Sequence, residues 1–197
     1  MLSFARIKQP LMQIRCHWCG EDPLYIAYHD NEWGRPNRDD QKLFESLILE
    51  SFQSGLSWIT ILRKREHFRK AFDNFNAEKI AAYNEKDVER LMSDEHIIRN
   101  RLKIEATIQN AKSLLSLYKE GISLSQFVWE VTDEKVLQPK FANSRELPST
   151  TEEAKALSKK FKKANFKFMG PVVCYAFMQA NGLTNDHSLE CFLTKSV

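Results

Sequence analysis

The amino-acid sequence predicts an all-α fold, and three observations support this prediction. Apolar residues recur at the three- and four-residue spacing of amphipathic helices along most of the chain. Glycine and proline number only six each, too few for the frequent turns of a β-sandwich. No pair of segments shows the alternation of polar and apolar residues that is typical of paired strands.

Capping residues predict where the individual helices begin and end. Asp39 or Asp40 would cap a helix that ends near Gly55, and Ser57 would cap the next one. Further boundaries are predicted at Asn76, at 93–95, at Gly121, at Thr150 or Thr151, at Pro171, at Gly182, and at Asn185 or Asp186, which would cap a last helix. The segment 132–151 contains two prolines and little periodicity, so we expect a loop there.

The length of 197 residues and a hydrophobic content of 43% predict one packed domain. No apolar stretch is long enough to cross a membrane, and residues 1–15 lack the apolar core of a signal peptide. We therefore expect a soluble, intracellular (cytoplasmic) protein without a membrane partner. Its domain would span residues 16–197, preceded by a leader at 1–15 that is disordered or not translated.

The net charge is only +3, but the positive residues are clustered in three runs. These runs are Arg63-Lys64-Arg65 with Arg69-Lys70, then Arg99, Arg101 and Lys103, and finally Lys159-Lys160, Lys162-Lys163 and Lys167. Such runs are more often solvated helix faces than binding sites. They are compatible with a surface that faces phosphate groups.

Two cysteines and two histidines form a candidate metal site at opposite ends of the chain. Cys16 and His29 lie near its start, and His187 and Cys191 near its end. Because the last two are four residues apart, a helix would bring them to one face. Two thiolates and two imidazoles complete a tetrahedral zinc site and leave no open position for catalysis. The alternatives are that these residues are unrelated, or that Cys16 and Cys19 supply both thiolates.

Aromatic residues and one carboxylate form a second candidate site. Tyr25, Tyr28 and Trp33 lie close together, and Glu50 is embedded among apolar residues of a predicted helix. A carboxylate on an apolar helix face needs a partner, and the commoner outcome is an edge glutamate that reaches solvent or an arginine. The functional interpretation is a buried acceptor for a flat cation, which aromatic faces also attract.

The sequence resembles the DNA-3-methyladenine glycosylase I family of the helix-hairpin-helix glycosylase superfamily. The resemblance extends from Arg15 to Cys191. It rests on DPLYIAYHDNEWG (22–34), GLSWITILRKRE (55–66), FKFMGPVVCYAFMQANG (166–182) and NDH (185–187). It implies an enzyme that flips 3-methyladenine out of alkylated double-stranded DNA and hydrolyses its N-glycosidic bond. The enzyme would be a monomer without lyase activity and would release free 3-methyladenine.

The resemblance also implies roles for individual residues. It places one structural zinc ion on Cys16, His29, His187 and Cys191. Glu50 would be the catalytic residue, which recognises the base and stabilises charge. The other pocket residues would be Tyr28 and Trp58, which stack on the base, surrounded by Tyr25, Trp33 and Trp18. Gly55 and Leu56 would approach the gap that the flipped nucleotide leaves. A hairpin near 93–97 would bind phosphate through backbone amides, although Glu95 and His96 replace its usual glycine-rich turn.

Two other functions are compatible with these features. A DNA-damage binding protein would recognise the same base without cleaving it. A zinc-stabilised helical protein with another partner would show no preference for methylated DNA.

Overall fold

The computed structural model describes residues 13–195, and within them the all-α prediction is confirmed. The nine α-helices in the described part of the chain are α1 (Pro23–Asn31), α2 (Asp40–Gln53), α3 (Trp58–Ala71), α4 (Ala77–Ala81), α5 (Glu85–Ser93), α6 (Arg101–Lys119), α7 (Leu124–Trp129), α8 (Glu152–Lys163) and α9 (Pro171–Ala180). Extended pairing in this part of the chain is limited to one isolated parallel bridge between Leu137 and Thr184. No described helix combines the length and apolarity that a membrane span requires. Most of the predicted leader, residues 1–12, lies outside the described residues.

Three of the predicted capping residues cap their helices as expected, whereas Ser57 precedes α3 without a capping hydrogen bond from its side chain. The side chains of Asp39, Asn76 and Thr151 each accept a hydrogen bond from the backbone amide three residues further on, at 3.0, 2.9 and 3.2 Å. Each therefore satisfies one of the amide groups that have no partner within the first turn of a helix. The loop 132–151 is irregular apart from single 3₁₀ turns at its start and at Ser144–Glu146.

Helix α1 lies in a segment for which we predicted pocket residues and the metal ligand His29 but no helix. Asp22 is its N-cap and accepts hydrogen bonds from the amides of Leu24 and Tyr25 at 2.9 and 3.3 Å. Pro23 occupies the first helical position, where its missing N–H costs nothing. The Asp-Pro pair was therefore a readable signal for a helix start.

The prediction of a last helix capped by Asn185 or Asp186 is wrong. Residues 185–188 are irregular and residues 189–195 form turns. Asp186 accepts hydrogen bonds from the side chains of Tyr175, Gln179 and Thr184, which fixes the backbone in a non-helical course. These specific polar contacts outweigh the modest helix preference of the segment.

Two apolar clusters share one residue, and this arrangement positions the site. The larger cluster contains most of the buried side chains of α2 to α9, including Phe52, Phe68 and Phe72. The smaller one surrounds Cys16, Tyr28, Trp33 and Cys191 near the two chain ends. Trp58, at the start of α3, packs against both clusters.

Candidate functional site

A cavity of about 320 Å³ lies where the two clusters meet. All six residues predicted for the base pocket line it. These are Trp18, Tyr25, Tyr28, Trp33, Glu50 and Trp58. They come from a 3₁₀ turn, from α1 and the residues after it, from α2 and from α3. The fold thus brings together side chains that are up to 40 positions apart in sequence.

Glu50 is the one carboxylate among the residues that line this cavity. Its side chain comes from α2, and the residue is only 4% exposed. No hydrogen bond or ion pair joins this carboxylate to another of the residues 13–195. Burial raises its pKa from 4.5 to about 8 because the ionised form loses its hydration. The carboxyl group is therefore largely protonated at neutral pH when no cation is bound.

Tyr28 and Trp58 form adjoining walls of the cavity. Their ring centroids lie 5.4 Å apart with an interplanar angle of 44°. A planar base between two parallel rings would need them about 7 Å apart, twice the van der Waals distance. A base can therefore stack on one ring and meet the other at an angle. Burial raises the pKa of Tyr28 well above 10, so its hydroxyl group stays neutral.

Trp58 also carries a buried group without a partner. Its indole Nε1 is the only side-chain nitrogen or oxygen of residues 13–195 that is fully cut off from solvent and also lacks a hydrogen bond; the oxygens of Glu50 keep a small accessible surface. Such groups are rare in folded proteins because leaving a donor unpaired costs free energy. Because Trp58 lines the cavity, a small shift of its ring would let this N–H meet a ligand acceptor or an ordered water.

Five further residues line the cavity and were not predicted from the sequence, among them Gln53 at the end of α2. Ser144 and Leu147 belong to the loop at 132–151, and Ala176 and Gln179 come from α9. Gln179 donates through Nε2 to the buried Asp186 at 2.7 Å, which leaves its carbonyl oxygen as the free end of the amide. Apart from the resemblance of the α9 segment, no pattern in the sequence marked these residues.

The four predicted metal ligands converge at one buried point. Nitrogen and sulfur atoms of Cys16, His29, His187 and Cys191 all lie within 4.8 Å of one another. The Cys16 Sγ–His187 Nδ1 distance is 3.4 Å, and Cys191 Sγ lies 3.5 Å from both His187 Nδ1 and His29 Nε2. A tetrahedral zinc ion with ordinary bond lengths separates such ligand atoms by about 3.5 Å. The group therefore fits zinc and can bind a metal ion.

Surrounding residues fix the orientation of these ligands. Asp30 Oδ1 lies 2.8 Å from His29 Nδ1, so the other ring nitrogen faces the thiols. Arg15 pairs with the same carboxylate at 2.8 Å. Hydrogen bonds from Cys191 and Ser188 lower the pKa of Cys16 to about 7, which favours its thiolate form. Cys19 is buried nearby but lies outside the cluster, and its thiol donates to the Cys16 carbonyl.

The metal cluster and the cavity share their walls. The Trp33 ring packs edge-on against His187 at 4.8 Å, and the Trp18 ring lies 5.4 Å from His29. Gly34 allows this close packing, because a Cβ there would lie 2.9 Å from His187 Nε2. Displacement of the histidines would therefore move two aromatic residues of the cavity.

The two residues predicted to approach DNA lie on an exposed turn between α2 and α3. Ser54 (φ −46°, ψ 114°) and Gly55 (φ 86°) have the angles of a type II turn, which needs glycine at its second central position. The amide of Leu56 closes the turn on the Gln53 carbonyl at 2.6 Å. Leu56 itself is 41% exposed, although it is apolar.

The predicted hairpin lies between α5 and α6, and part of its backbone is already engaged. The amide of His96 donates to Asp94 at 2.9 Å, and Lys64 donates to the carbonyls of Glu95 and His96 at 3.3 and 2.9 Å. The His96 ring also stacks on the ring of His67, with centroids 4.8 Å apart. The amides of Glu95, Ile98 and Arg99 have no acceptor among the described residues. These three remain candidates for phosphate contacts.

Many cations of the three basic runs are neutralised within the protein. Arg63, Arg65 and Arg69 pair with acidic residues at 2.6, 2.5 and 2.7 Å. Arg101 pairs with three glutamates, and Lys103 is buried. Arg99, Lys159, Lys162, Lys163 and Lys167 are exposed and make no ion pair with a described residue.

A larger cleft of about 470 Å³ adjoins the cavity and shares Tyr28 and Trp58 with it. Its charged residues are mostly paired, as in Arg65 with Glu32 and Arg69 with Glu45. The smaller cavity is therefore the better candidate for ligand binding, because its charged group has no partner.

Known proteins resemble this chain along most of its length. A model of the methyladenine glycosylase family matches residues 18–194. DNA-3-methyladenine glycosylase 1 of Escherichia coli is 50% identical over 177 residues, which cover 90% of this chain and 95% of that protein. DNA-3-methyladenine glycosylase of Haemophilus influenzae is 47% identical over 180 residues, which cover 91% of this chain and 97% of that protein.

Solved structures match the fold equally well. A crystal structure of a 3-methyladenine DNA glycosylase I has a TM-score of 0.89 and 50% identity, and the match covers 91% of this chain and 98% of that one. A structure of 3-methyladenine DNA glycosylase I from Staphylococcus aureus, solved to explain 3-methyladenine recognition, has a TM-score of 0.87 and 36% identity. This match covers 90% of this chain and 95% of that one. On this agreement in sequence and structure, the chain belongs to the methyladenine glycosylase family of DNA-repair enzymes.

Proposed function

We propose that this protein flips 3-methyladenine out of alkylated double-stranded DNA and removes it by hydrolysis of the N-glycosidic bond. The observation that carries this proposal is Glu50, a buried carboxylate with no protein partner in an aromatic cavity. A base inside a duplex is out of reach, so flipping is required before chemistry. The names of the relatives agree with this substrate.

The chemistry of the lesion explains how one unpaired carboxylate can select it. Methylation at N3 makes the adenine ring of the nucleotide positively charged, and the base then departs as a neutral molecule. Such a leaving group needs little acid catalysis, so binding decides what is cut. A cationic ring next to Glu50 compensates the carboxylate for its lost hydration and favours ionisation. Neutral adenine offers no such compensation.

The aromatic walls add to this selectivity. Attraction between a cation and an aromatic face contributes roughly 0.5–2 kcal/mol, depending on desolvation. Tyr28 and Trp58 supply adjoining faces, and Tyr25, Trp33 and Trp18 exclude water around the base. Glu50 would accept hydrogen bonds from the amino edge of the base and stabilise positive charge as the bond breaks.

The composition of the cavity supports a monofunctional enzyme. No lysine occurs among the residues that line it, so a Schiff base with the sugar has no candidate nucleophile there. We also propose that the enzyme acts as a monomer. Leu56 on its exposed turn would enter the gap in the duplex, and free amides of the hairpin would contact phosphate.

Zinc is the metal ion we propose for the cluster of Cys16, His29, His187 and Cys191. This ion would contribute to folding by joining the two ends of the chain. Four protein ligands leave it no position for water, so it would hold the fold and take no part in the reaction.

The decisive experiment is chromatographic detection of the base released from methylated duplex DNA. We expect free 3-methyladenine from the wild type and a large loss of rate for Glu50→Gln and Glu50→Ala. Glu21→Gln is a matched control, since Glu21 is exposed and makes no ion pair with a described residue. Full activity of both Glu50 variants would contradict the pocket assignment. Tight binding to the lesion without release would instead indicate a damage-binding protein.

A further inference from the structure

Lys103 is a buried lysine in the first turn of α6, and it has no role in the reaction proposed above. The residue is only 7% exposed, although it belongs to a run of residues that the sequence analysis considered for phosphate contacts. Burial lowers its pKa, because the charged ammonium group loses water. A buried lysine is costly unless its hydrogen atoms find acceptors.

The acceptors of Lys103 are carbonyl groups on both sides of the exposed turn. Its Nζ donates to the Phe52 carbonyl at 3.0 Å and to the Ser54 carbonyl at 2.9 Å. The intervening Gln53 carbonyl accepts from the amide of Leu56. Three consecutive carbonyls at the end of α2 therefore accept hydrogen bonds, and two of these bonds fix the turn that carries Leu56 to α6.

Lys103 also connects this turn to the hairpin. It lies three residues after Asn100, the N-cap of α6, which directly follows the hairpin segment. Lys64 makes the reciprocal contact. It lies on α3, the helix that follows the turn, and donates hydrogen bonds to two carbonyls of the hairpin. Lys103, from the helix that follows the hairpin, therefore holds the turn, and Lys64, from the helix that follows the turn, holds the hairpin.

We propose that Lys103 is a positioning residue that holds the turn at Gly55 and Leu56 in the orientation needed to enter the duplex. This inference rests on the proposed function of the turn. Loss of the ammonium group would leave two carbonyls unpaired and free the turn to change its direction relative to the hairpin. Lys103 does not line the cavity, and Gln53 is the one residue of the turn that does, so we expect the aromatic walls and Glu50 to keep their places.

Lys103→Met tests this proposal, because methionine keeps the apolar stem and removes the charge. Under single-turnover conditions we expect excision of 3-methyladenine to slow roughly 10- to 100-fold, as for other misplaced groups distant from the chemistry. The preference for duplexes with an abasic-site analogue over intact duplexes should fall as well. Binding of free 3-methyladenine, measured by tryptophan fluorescence, should stay as in the wild type.

Two further variants provide the controls. Lys103→Arg retains donors and should recover most of the lost rate. Lys112→Met removes an exposed lysine from the same helix and should change none of the three measurements. Wild-type excision and wild-type abasic-site preference in folded Lys103→Met would overturn the proposal.

A double-mutant cycle with Leu56→Ala separates positioning from a merely stabilising role. If Lys103 acts through the turn, Leu56→Ala should reduce excision and abasic-site binding less in the Lys103→Met background than in the wild type. Additive losses would contradict the proposal. Should Lys103→Met fail to fold, as judged by its melting curve, the same cycle with Lys103→Gln decides the question.

The two proposals can fail separately. If the wild type releases no base, the proposed function is wrong. If the wild type releases 3-methyladenine and the cycle shows no coupling, only the role of Lys103 is wrong.

Discussion

Replacement of Glu50 by glutamine should stabilise the protein while it abolishes base recognition. The two side chains have nearly the same shape, so the substitution changes ionisation and little else. Below the ordinary pKa of a glutamate, both side chains are neutral, and we expect similar free energies of unfolding. Above it, the wild type must either ionise a buried group or retain its proton.

The pKa of Glu50 gives the size of this effect. Burial raises it from 4.5 to about 8, so the folded state binds the proton more tightly than the unfolded chain. The stability of the wild type therefore falls as the pH rises from 4.5 to about 8. The slope is about 1.4 kcal/mol per pH unit, which gives a deficit of about 3 kcal/mol at pH 7. For a chain of this size, that deficit corresponds to a midpoint difference of roughly 6–12 °C.

Urea unfolding of both proteins between pH 5 and pH 8, at a fixed metal concentration, measures the difference directly. Protonation of the metal ligands affects both proteins alike and cancels in the comparison. Glu21→Gln serves as the control and should follow the wild type at every pH. A stability difference that does not change across this range would refute the assignment of a desolvated, unpaired carboxyl group.

Four other predictions concern binding and catalysis. For the wild type, kcat/KM on methylated DNA should rise with pH and level off near 8, because ionised Glu50 binds the cationic base; a flat profile would contradict this. Cys191→Ser should lose its metal and melt at a lower temperature, and normal metal content by atomic absorption would exclude it as a ligand. Trp58→Leu should weaken binding of free 3-methyladenine, as measured by calorimetry, because an aromatic wall is lost. Arg99→Gln should weaken binding to all duplexes and lower the salt slope by about one, if this exposed arginine contacts a phosphate.

The helices were largely predictable because their signals are local. Asp39, Asn76 and Thr151 cap helices through contacts that span three residues, and such contacts can be read from the sequence. The segment after Asn185 was predicted wrongly because its conformation depends on distant partners. Tyr175 and Gln179 on α9 hold Asp186 outside a helix, and nothing near Asp186 in sequence indicates this.

The metal ligands show both the use and the limit of spacing arguments. The four-residue separation of His187 and Cys191 correctly indicated proximity, since their ligand atoms lie 3.5 Å apart. The predicted helix between them was wrong, because irregular segments and turns bring the two residues together. The pairing with Cys16 and His29 spans more than 150 residues, so the residue types only suggested it, and the family resemblance was needed to predict it. Spacing alone also left Cys19 as a possible ligand, which the structure places outside the cluster.

The basic runs were the least informative feature of the sequence. A lysine that binds a carbonyl and one that binds a phosphate look the same in a sequence. Lys64 and Lys103 both belong to these runs, yet both donate to backbone carbonyls. Acidic residues from other helices neutralise most of the arginines, and those pairings are tertiary contacts.

A second buried carboxylate in the same chain shows how unusual the surroundings of Glu50 are. Glu50 and Asp186 are the two buried carboxylates among residues 13–195, at 4% and 2% exposure. Asp186 accepts three hydrogen bonds, from Tyr175, Gln179 and Thr184, at 2.5, 2.7 and 2.6 Å. Glu50 accepts none from a described residue, although the protein can evidently surround a buried carboxylate with donors. No protein group compensates Glu50 for its lost hydration, and a positively charged base with an amino edge would supply both the opposite charge and the hydrogen-bond donors.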